Sequence, residues 1–249
     1  MKQGIFLNNI TYRYHKNHDI LKNITLTIHQ GEFICILGKN GSGKTTLGYC
    51  LNGIIPHSFA GKLDGSITIN GEETKQSSIG EIAKTIGTIA QDPDLMLFNM
   101  TVYEEIAFGI NNLELDNVEE RIREALHQVG LTGFEKRDPN TLSEGQKQLL
   151  CIACTLAMGT EILLLDEPIS HLDYINGIQV YELLKQLHKD GKTIIIIEHE
   201  TDVVWDYAER VLIIEEGSIV ADGKAQEILQ QHEMLKQYGI KPTYKSHAK

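Results

Sequence analysis

The chain is short of basic charge. Lys and Arg number 23 against 34 Asp and Glu in 249 residues, a formal charge of −11. Binding along a nucleic-acid backbone draws on a surplus of Lys and Arg, so nucleic acid is excluded as the main partner, although a local basic groove is not. Long apolar runs are also missing. None approaches the roughly 20 residues that span a bilayer. The start, Met1-Lys2-Gln3-Gly4, runs directly into a polar alternating strand and has no secretory apolar core. These absences predict a cytoplasmic protein. Cysteine is scarce, with four residues in apolar contexts. Cys151 and Cys154 have the spacing of a redox or zinc pair, but no second pair accompanies them, and Ile152, Ala153, Leu156 and Ala157 surround them. Small buried side chains are expected. There is no internal repeat, low-complexity linker, long coiled coil or basic insertion. The 41% hydrophobic content suffices for one large domain, or a core domain with a subdomain.

What is present begins with Gly38-Lys39-Asn40-Gly41-Ser42-Gly43-Lys44-Thr45-Thr46, directly after the apolar run Phe33–Leu37. The spacing G-x-x-x-x-G-K-T is that of a strand, a phosphate-binding glycine loop and a helix. The glycines let backbone N–H groups converge on phosphate oxygens. Lys44 adds a point charge for the terminal phosphates, and the Thr45 hydroxyl suits Mg²⁺. The helix beginning near Thr45 turns its positive end toward the same anion. Gly38, Asn40, Gly41, Ser42, Gly43, Lys44, Thr45 and Thr46 are therefore the candidate nucleotide-phosphate residues.

Elsewhere the pattern alternates between strand and helix. Residues 5–30 carry short period-two runs that predict antiparallel strands with one solvated face. Tyr12 and Tyr14 lie there, and either could pack in the sheet or stack on an adenine base. Helix is expected over residues 45–52, and β structure over 61–71, closing on the turn Asn70-Gly71. Residues 86–90 read as an inner strand, with Gln91 at its end before Pro93. Residues 94–160 turn helical, with a capping arrangement at Asn117-Val118-Glu119-Glu120. Ser143 and Gln146 form a capping-box pattern for a helix through Leu156, and that capped N-terminus is a second candidate anion site.

Ile162-Leu163-Leu164-Leu165 ends abruptly in Asp166-Glu167. At a phosphate–Mg²⁺ site such a pair divides naturally, Asp166 orienting the metal and Glu167 polarising water. Ser170-His171-Leu172-Asp173 leads into a helix over Tyr174–Lys189. The buried strand Thr193–Ile197 ends in Glu198-His199-Glu200, placing His199 at the strand edge where α/β proteins collect ligands. Residues 211–214 and 218–220 flank a hairpin at Glu215-Glu216-Gly217. Residues 225–238 read as one amphipathic helix, and 241–249 as a polar, frayed tail.

The ordered set of phosphate loop, Gln91, Leu142-Ser143-Glu144-Gly145-Gln146, Ile162 to Glu167, Ser170-His171-Leu172-Asp173 and His199 resembles the ATP-binding cassette (ABC) ATPase of a transporter over nearly the whole chain. The segment 142–146 is similar to the family signature and separates the chain from kinases and GTPases. The resemblance implies an α/β P-loop NTPase core with a mixed parallel sheet, an antiparallel β-subdomain and an inserted α-helical subdomain. In this division residues 1–93 and 161–223 form the core with the β-subdomain, 94–160 the helical signature subdomain, and 224–249 a C-terminal helix and tail of one cassette.

The resemblance also implies ATP and Mg²⁺, with Tyr14 on adenine and Tyr12 as its fallback. Glu167 becomes the general base, His199 the γ-phosphate contact, and Gln91 a ligand of metal and water, beside Thr45 and Asp166 at the metal. Two cassettes pack head to tail, so Ser143, Gly145 and Gln146 meet the nucleotide held by the other subunit. Leu51 to His57, Gln91-Asp92-Pro93, Leu97 to Val102 and Ala107-Phe108-Gly109 narrow the likeness to energy-coupling factor (ECF) ATPases. These power vitamin or trace-metal import beside a second, related cassette, a transmembrane scaffold and a membrane substrate-binding subunit, peripherally at the cytoplasmic face of the membrane. The alternatives are an ATP-gated subunit with a weakly hydrolysing site, a cassette of another transporter class, and a soluble cassette acting on DNA or ribosomes. Three departures from the family pattern stand out. Leu149 stands where arginine is common, and His171 where a small residue is usual. Glu144 replaces the second glycine of the signature and adds negative charge near a γ-phosphate, unless it points away or caps its helix.

Overall fold

In a computed structural model, which describes residues 3–14 and 18–245, ten strands and ten helices order as follows. The strands are β1 (Gly4–Arg13), β2 (Leu21–His29), β3 (Phe33–Leu37), β4 (Lys62–Ile69), β5 (Glu72–Glu73), β6 (Ile86–Ile89), β7 (Ile162–Asp166), β8 (Thr193–Ile197), β9 (Arg210–Glu215) and β10 (Ser218–Lys224). The helices are α1 (Lys44–Leu51), α2 (Ile54–His57), α3 (Ile79–Ala83), α4 (Val102–Asn112), α5 (Val118–Gln128), α6 (Glu144–Ala157), α7 (Tyr174–Lys189), α8 (Thr201–Tyr207), α9 (Ala225–Leu229) and α10 (His232–Gln237).

The larger sheet has the order β10-β9-β3-β8-β7-β6. Four of its five strand pairs are parallel, and β10 at the edge returns antiparallel on β9. Alternate residues of these strands enter different cores, which is why they read as unbroken apolar runs. Phe33, Cys35, Leu37, Leu163, Leu165, Ile194 and Ile196 pack with residues of α4 to α7. Ile34, Ile36, Leu164, Ile195 and Ile197 pack with α1 and the smaller sheet. That smaller sheet, β2-β1-β4-β5, is antiparallel throughout. Its last hairpin turns at Asn70 (φ 51°) and Gly71 (φ 93°), the left-handed pair that an Asn-Gly turn supplies. The fold is thus the mixed α/β arrangement expected. All four cysteines are free, and Cys35, Cys50 and Cys151 are fully buried.

Three local expectations are corrected. Residues 225–238 do not form one helix. Leu229 and Leu235 are both fully buried, yet six residues apart they would lie on different faces of a single helix. The break between α9 and α10 brings both inward. Asn117 does not cap α5: it takes a left-handed conformation (φ 61°) and makes no side-chain cap bond, leaving Glu119 and Glu120 to face the positive helix end. The tail is not frayed over residues 241–245. Thr201 Oγ1 donates to Lys241 O at 2.8 Å, Tyr244 N donates to Asp202 Oδ1 at 2.9 Å, and Lys245 pairs with Asp206. The remainder of that segment lies outside the described residues.

Candidate functional site

Four strands of the larger sheet deliver their carboxyl ends to one edge. Ile36 pairs with Ile197, Asp166 with Ile197, and Ile89 with Leu165. In a parallel sheet this register sets the loops after β3, β6, β7 and β8 side by side. They carry Gly38 to Gly43, Gln91, Glu167, and Glu198 to Glu200.

The glycine loop is shaped by close approach. A Cβ on Gly38 would stand 2.3 Å from Ile214 O and 2.6 Å from Ser42 Oγ, and Gly43 starts α1 at φ 109°. Lys44 is nearly buried, and its Nζ donates to Gly38 O at 2.8 Å and Lys39 O at 3.2 Å. Burial pushes its ammonium pKa down, while Glu167 and Asp166 pull it back up. A cation folded onto carbonyl oxygens of its own loop is poised to exchange them for phosphate oxygens. The buried Ser42 hydroxyl has no hydrogen-bond partner.

Thr45 Oγ1 donates to Asp166 Oδ2 at 3.1 Å. Burial raises the Asp166 carboxyl above its ordinary range, opposed by that hydrogen bond and Lys44, with neighbouring Glu167 adding to the rise. Two hard oxygen donors at the foot of the phosphate loop fit Mg²⁺ and would supply part of its oxygen shell. No group of three His, Cys, Asp or Glu side chains among the described residues could hold a metal unaided.

Glu167 occupies the centre of the edge. Its backbone takes φ 45°, a conformation that non-glycine residues adopt at a cost of about 1–3 kcal/mol where function requires it. Gln91 Nε2 donates to Glu167 Oε2 at 2.9 Å, and His199 Nδ1 stands 3.7 Å from Oε1. Both carboxylate oxygens are thereby faced by a neighbouring motif.

A cavity of about 480 Å³ opens over the loop, lined by Tyr14, Asn40, Lys44, Thr45, Gln91 and Glu167 among others. A second, of about 360 Å³, shares Asn40 and Glu167 with it and includes His199, Glu200 and Lys241. The two tyrosines part company here. Tyr12 is fully buried, its hydroxyl donates to Ala60 O at 3.2 Å, and burial pushes its pKa up to about 12. Tyr14 faces the larger cavity.

Ser143, Gly145 and Gln146 line neither cavity. Ser143 and Gln146 do form the expected capping box on α6, with Gln146 N donating to Ser143 Oγ at 3.3 Å and Ser143 N to Gln146 Oε1 at 3.1 Å. Gly145 is packed so closely on α7 that a Cβ would meet Asn176 Oδ1 at 2.7 Å. Residues to which the sequence assigned no role complete the surroundings. Phe59 sits edge-on to Tyr14, with ring centroids 6.0 Å apart, and Glu198 lies fully buried beneath His199. Burial raises the Glu198 carboxyl, opposed by hydrogen bonds from His199 N, Tyr181 Oη and Glu200 N. A charged residue directly after five buried strand positions was the available signal for Glu198; no signal in the chain marked Phe59.

Comparison with known proteins decides what this edge belongs to. Residues 21–170 match the ABC transporter family model. The chain belongs to that family. The match includes the phosphate loop, Gln91, the signature segment, Asp166 and Glu167, while Tyr14 and His199 fall outside it. The cassette is 41% identical over 95% of its length to a provisionally named ABC transporter ATP-binding protein of Pyrococcus horikoshii, of which it spans 85%. It is 38% identical over 97% of its length to the energy-coupling factor transporter ATP-binding protein EcfA2 of Methanospirillum hungatei, spanning 60% of that protein. Other relatives are longer still, and the cassette spans 42% of one from Caldanaerobacter subterraneus. Among solved structures, CbiO1 of Clostridium perfringens, part of the ABC transporter complex CbiONQ, superposes with a TM-score of 0.84 at 32% identity, covering 95% of this chain and 94% of that one. The dimeric cassette MJ0796, bound to ADP and phosphate after hydrolysis, superposes with a TM-score of 0.75 at 28% identity, covering 89% and 98%. The cassette is an ATPase with ECF-like relatives.

Proposed function

We propose that this cassette is the ATP-hydrolysing subunit of an ECF-type importer, powering uptake of a vitamin or trace metal through membrane subunits. The observation that carries the reading is Glu167, held between Gln91 and His199 at the mouth of the phosphate-loop cavity. In this reading Tyr14 stacks on adenine, and the loop from Gly38 to Thr46 binds the phosphates. Lys44 leaves the carbonyls of Gly38 and Lys39 for the terminal phosphates. Thr45, Asp166 and Gln91 would hold Mg²⁺, which would supply charge that neutralises the phosphates. Glu167 accepts a proton from the attacking water, Gln91 orients both, and His199 contacts the γ-phosphate.

The exposed Ser143 cap, which does not line the cassette's own cavity, supports a composite site in which Ser143, Gly145 and Gln146 meet nucleotide held by a second cassette, related or identical. The dimer of MJ0796 and the membership of CbiO1 in a complex support the same assembly. An apolar groove of about 370 Å³ lined by Met96, Leu97, Phe98 and Phe108, with Leu95, Phe98 and Met100 largely exposed, supports contact with a transmembrane scaffold. A separate membrane subunit then selects the substrate. No helix among the described residues is long and apolar enough to cross a membrane, in keeping with a peripheral place at the cytoplasmic face. We take the division into 1–93 with 161–223, 94–160 and 224–249 as part of this reading.

Glu167→Gln in the assembled complex tests it. Turnover should fall by about 10²-fold or more, the usual weight of a general base, with ATP binding retained. Near-normal turnover sinks the assignment.

A further inference from the structure

The signature's acidic residue is held by a lysine that also grips the Gln91 loop. Lys147, on the second turn of α6, is 9% exposed, and its Nζ lies 2.6 Å from Asp94 Oδ1 and 3.0 Å from Glu144 Oε1. Asp94 stands three residues beyond Gln91 in the short turn Pro93–Leu95, which Asp92 caps by accepting from Asp94 N at 3.0 Å. Glu144 is the first residue of α6, between Ser143 and Gly145. Both carboxylates are about half exposed, so either could swing away. The lysine, with its stem buried, is the fixed member.

We propose that Lys147 is a positioning residue of the composite ATP site: anchored by Asp94, it keeps the Glu144 carboxylate off the exposed Ser143 cap that faces the partner's nucleotide. The inference rests on the composite site proposed above. The hydrogen bond to Asp94 raises the lysine's pKa despite burial, so the ammonium stays charged. With Lys147 in place, the negative charge at the signature is paired and directed along the helix. Released, the carboxylate rotates at the helix start toward the polyphosphate, and like charges repel.

The test is ATPase kinetics of the dimeric assembly carrying Lys147→Met, Lys147→Arg, Glu144→Gly and the double variant Glu144→Gly/Lys147→Met. Met keeps the buried stem and removes only the charge. Its KM for ATP should rise on the order of fivefold to tenfold, as one uncompensated charge near phosphate implies. Lys147→Arg should stay near wild type. The double variant should return to within about twofold of Glu144→Gly, because the charge that needed holding is gone. A Lys147→Met enzyme with wild-type KM overturns the proposal, as does a double variant as impaired as Lys147→Met, which assigns the lysine a structural role alone. Ser143→Arg separates this inference from the reading beneath it. Normal turnover in Ser143→Arg refutes the composite site and the positioning with it, whereas collapsed turnover there beside a normal Lys147→Met refutes the positioning alone.

Discussion

Tyr12 and Tyr14 lie two residues apart on one strand, yet replacing them should damage different properties. Tyr14 lines the phosphate-loop cavity, and its ring is clamped edge-on by Tyr12 (4.8 Å, 84°) and Phe59 (6.0 Å, 85°). A ring already fixed loses little entropy when a base stacks on it. Truncating such a platform costs about 1–3 kcal/mol per base, so Tyr14→Ala should weaken ATP binding roughly fivefold to a hundredfold and leave folding nearly intact. Tyr12 is fully buried. Tyr12→Ala should cost about 3–5 kcal/mol of stability by opening a cavity, lowering Tm by roughly 6–20 °C for a chain of this size. Titration of each variant with a fluorescent ATP analogue, beside thermal melts, reads both effects. Unchanged ATP affinity in Tyr14→Ala, with Tyr12→Phe the weaker binder, would refute the assignment of Tyr14 as the base platform.

Two further outcomes concern the framework of the site. Gly38→Ala places a methyl 2.3 Å from the backbone oxygen of Ile214, which has no rotamer in which to escape; a loss of about 2–4 kcal/mol in urea denaturation is expected, and wild-type stability would show that the loop yields. Glu198→Gln should make stability less dependent on pH. The native carboxyl is raised above its ordinary 4.5, so wild type is stabilised by the bound proton at low pH and loses that stability as pH rises through the raised value. The stability of Glu198→Gln relative to wild type should therefore grow in thermal melts as pH rises from 4.5 through the raised value, and a constant difference over that rise would rule out the buried-charge penalty.

The phosphate loop, the acid pair after β7, the capping box of α6 and the inner strands were all legible in the chain, because each depends on local spacing. A glycine loop needs Gly, Lys and Thr at set intervals, and a strand buried on both faces needs an unbroken apolar run. Register, by contrast, is a property of two strands at once. Nothing local to Gln91, Glu167 or His199 says that they converge. The pairing of β6, β7 and β8 brings Gln91 within hydrogen-bonding reach, and His199 within ion-pairing reach, of Glu167.

The same division explains the corrections. Helical periodicity persisted through residues 225–238, but burying both Leu229 and Leu235 required a break that only the core's shape imposes. Polar composition predicted a free tail, while Asp202 and Asp206, some forty residues upstream, gather it onto α8. Sequence by itself determined which residues can bind phosphate, hold a cation and move a proton, since those capacities reside in single side chains and short loops. Tertiary structure alone decided which tyrosine faces the cavity, where the carboxylate of Glu144 points, and that Ser143, Gly145 and Gln146 line neither cavity beside the phosphate loop. Distance and orientation between segments remote in sequence are set by packing, and no local pattern encodes them.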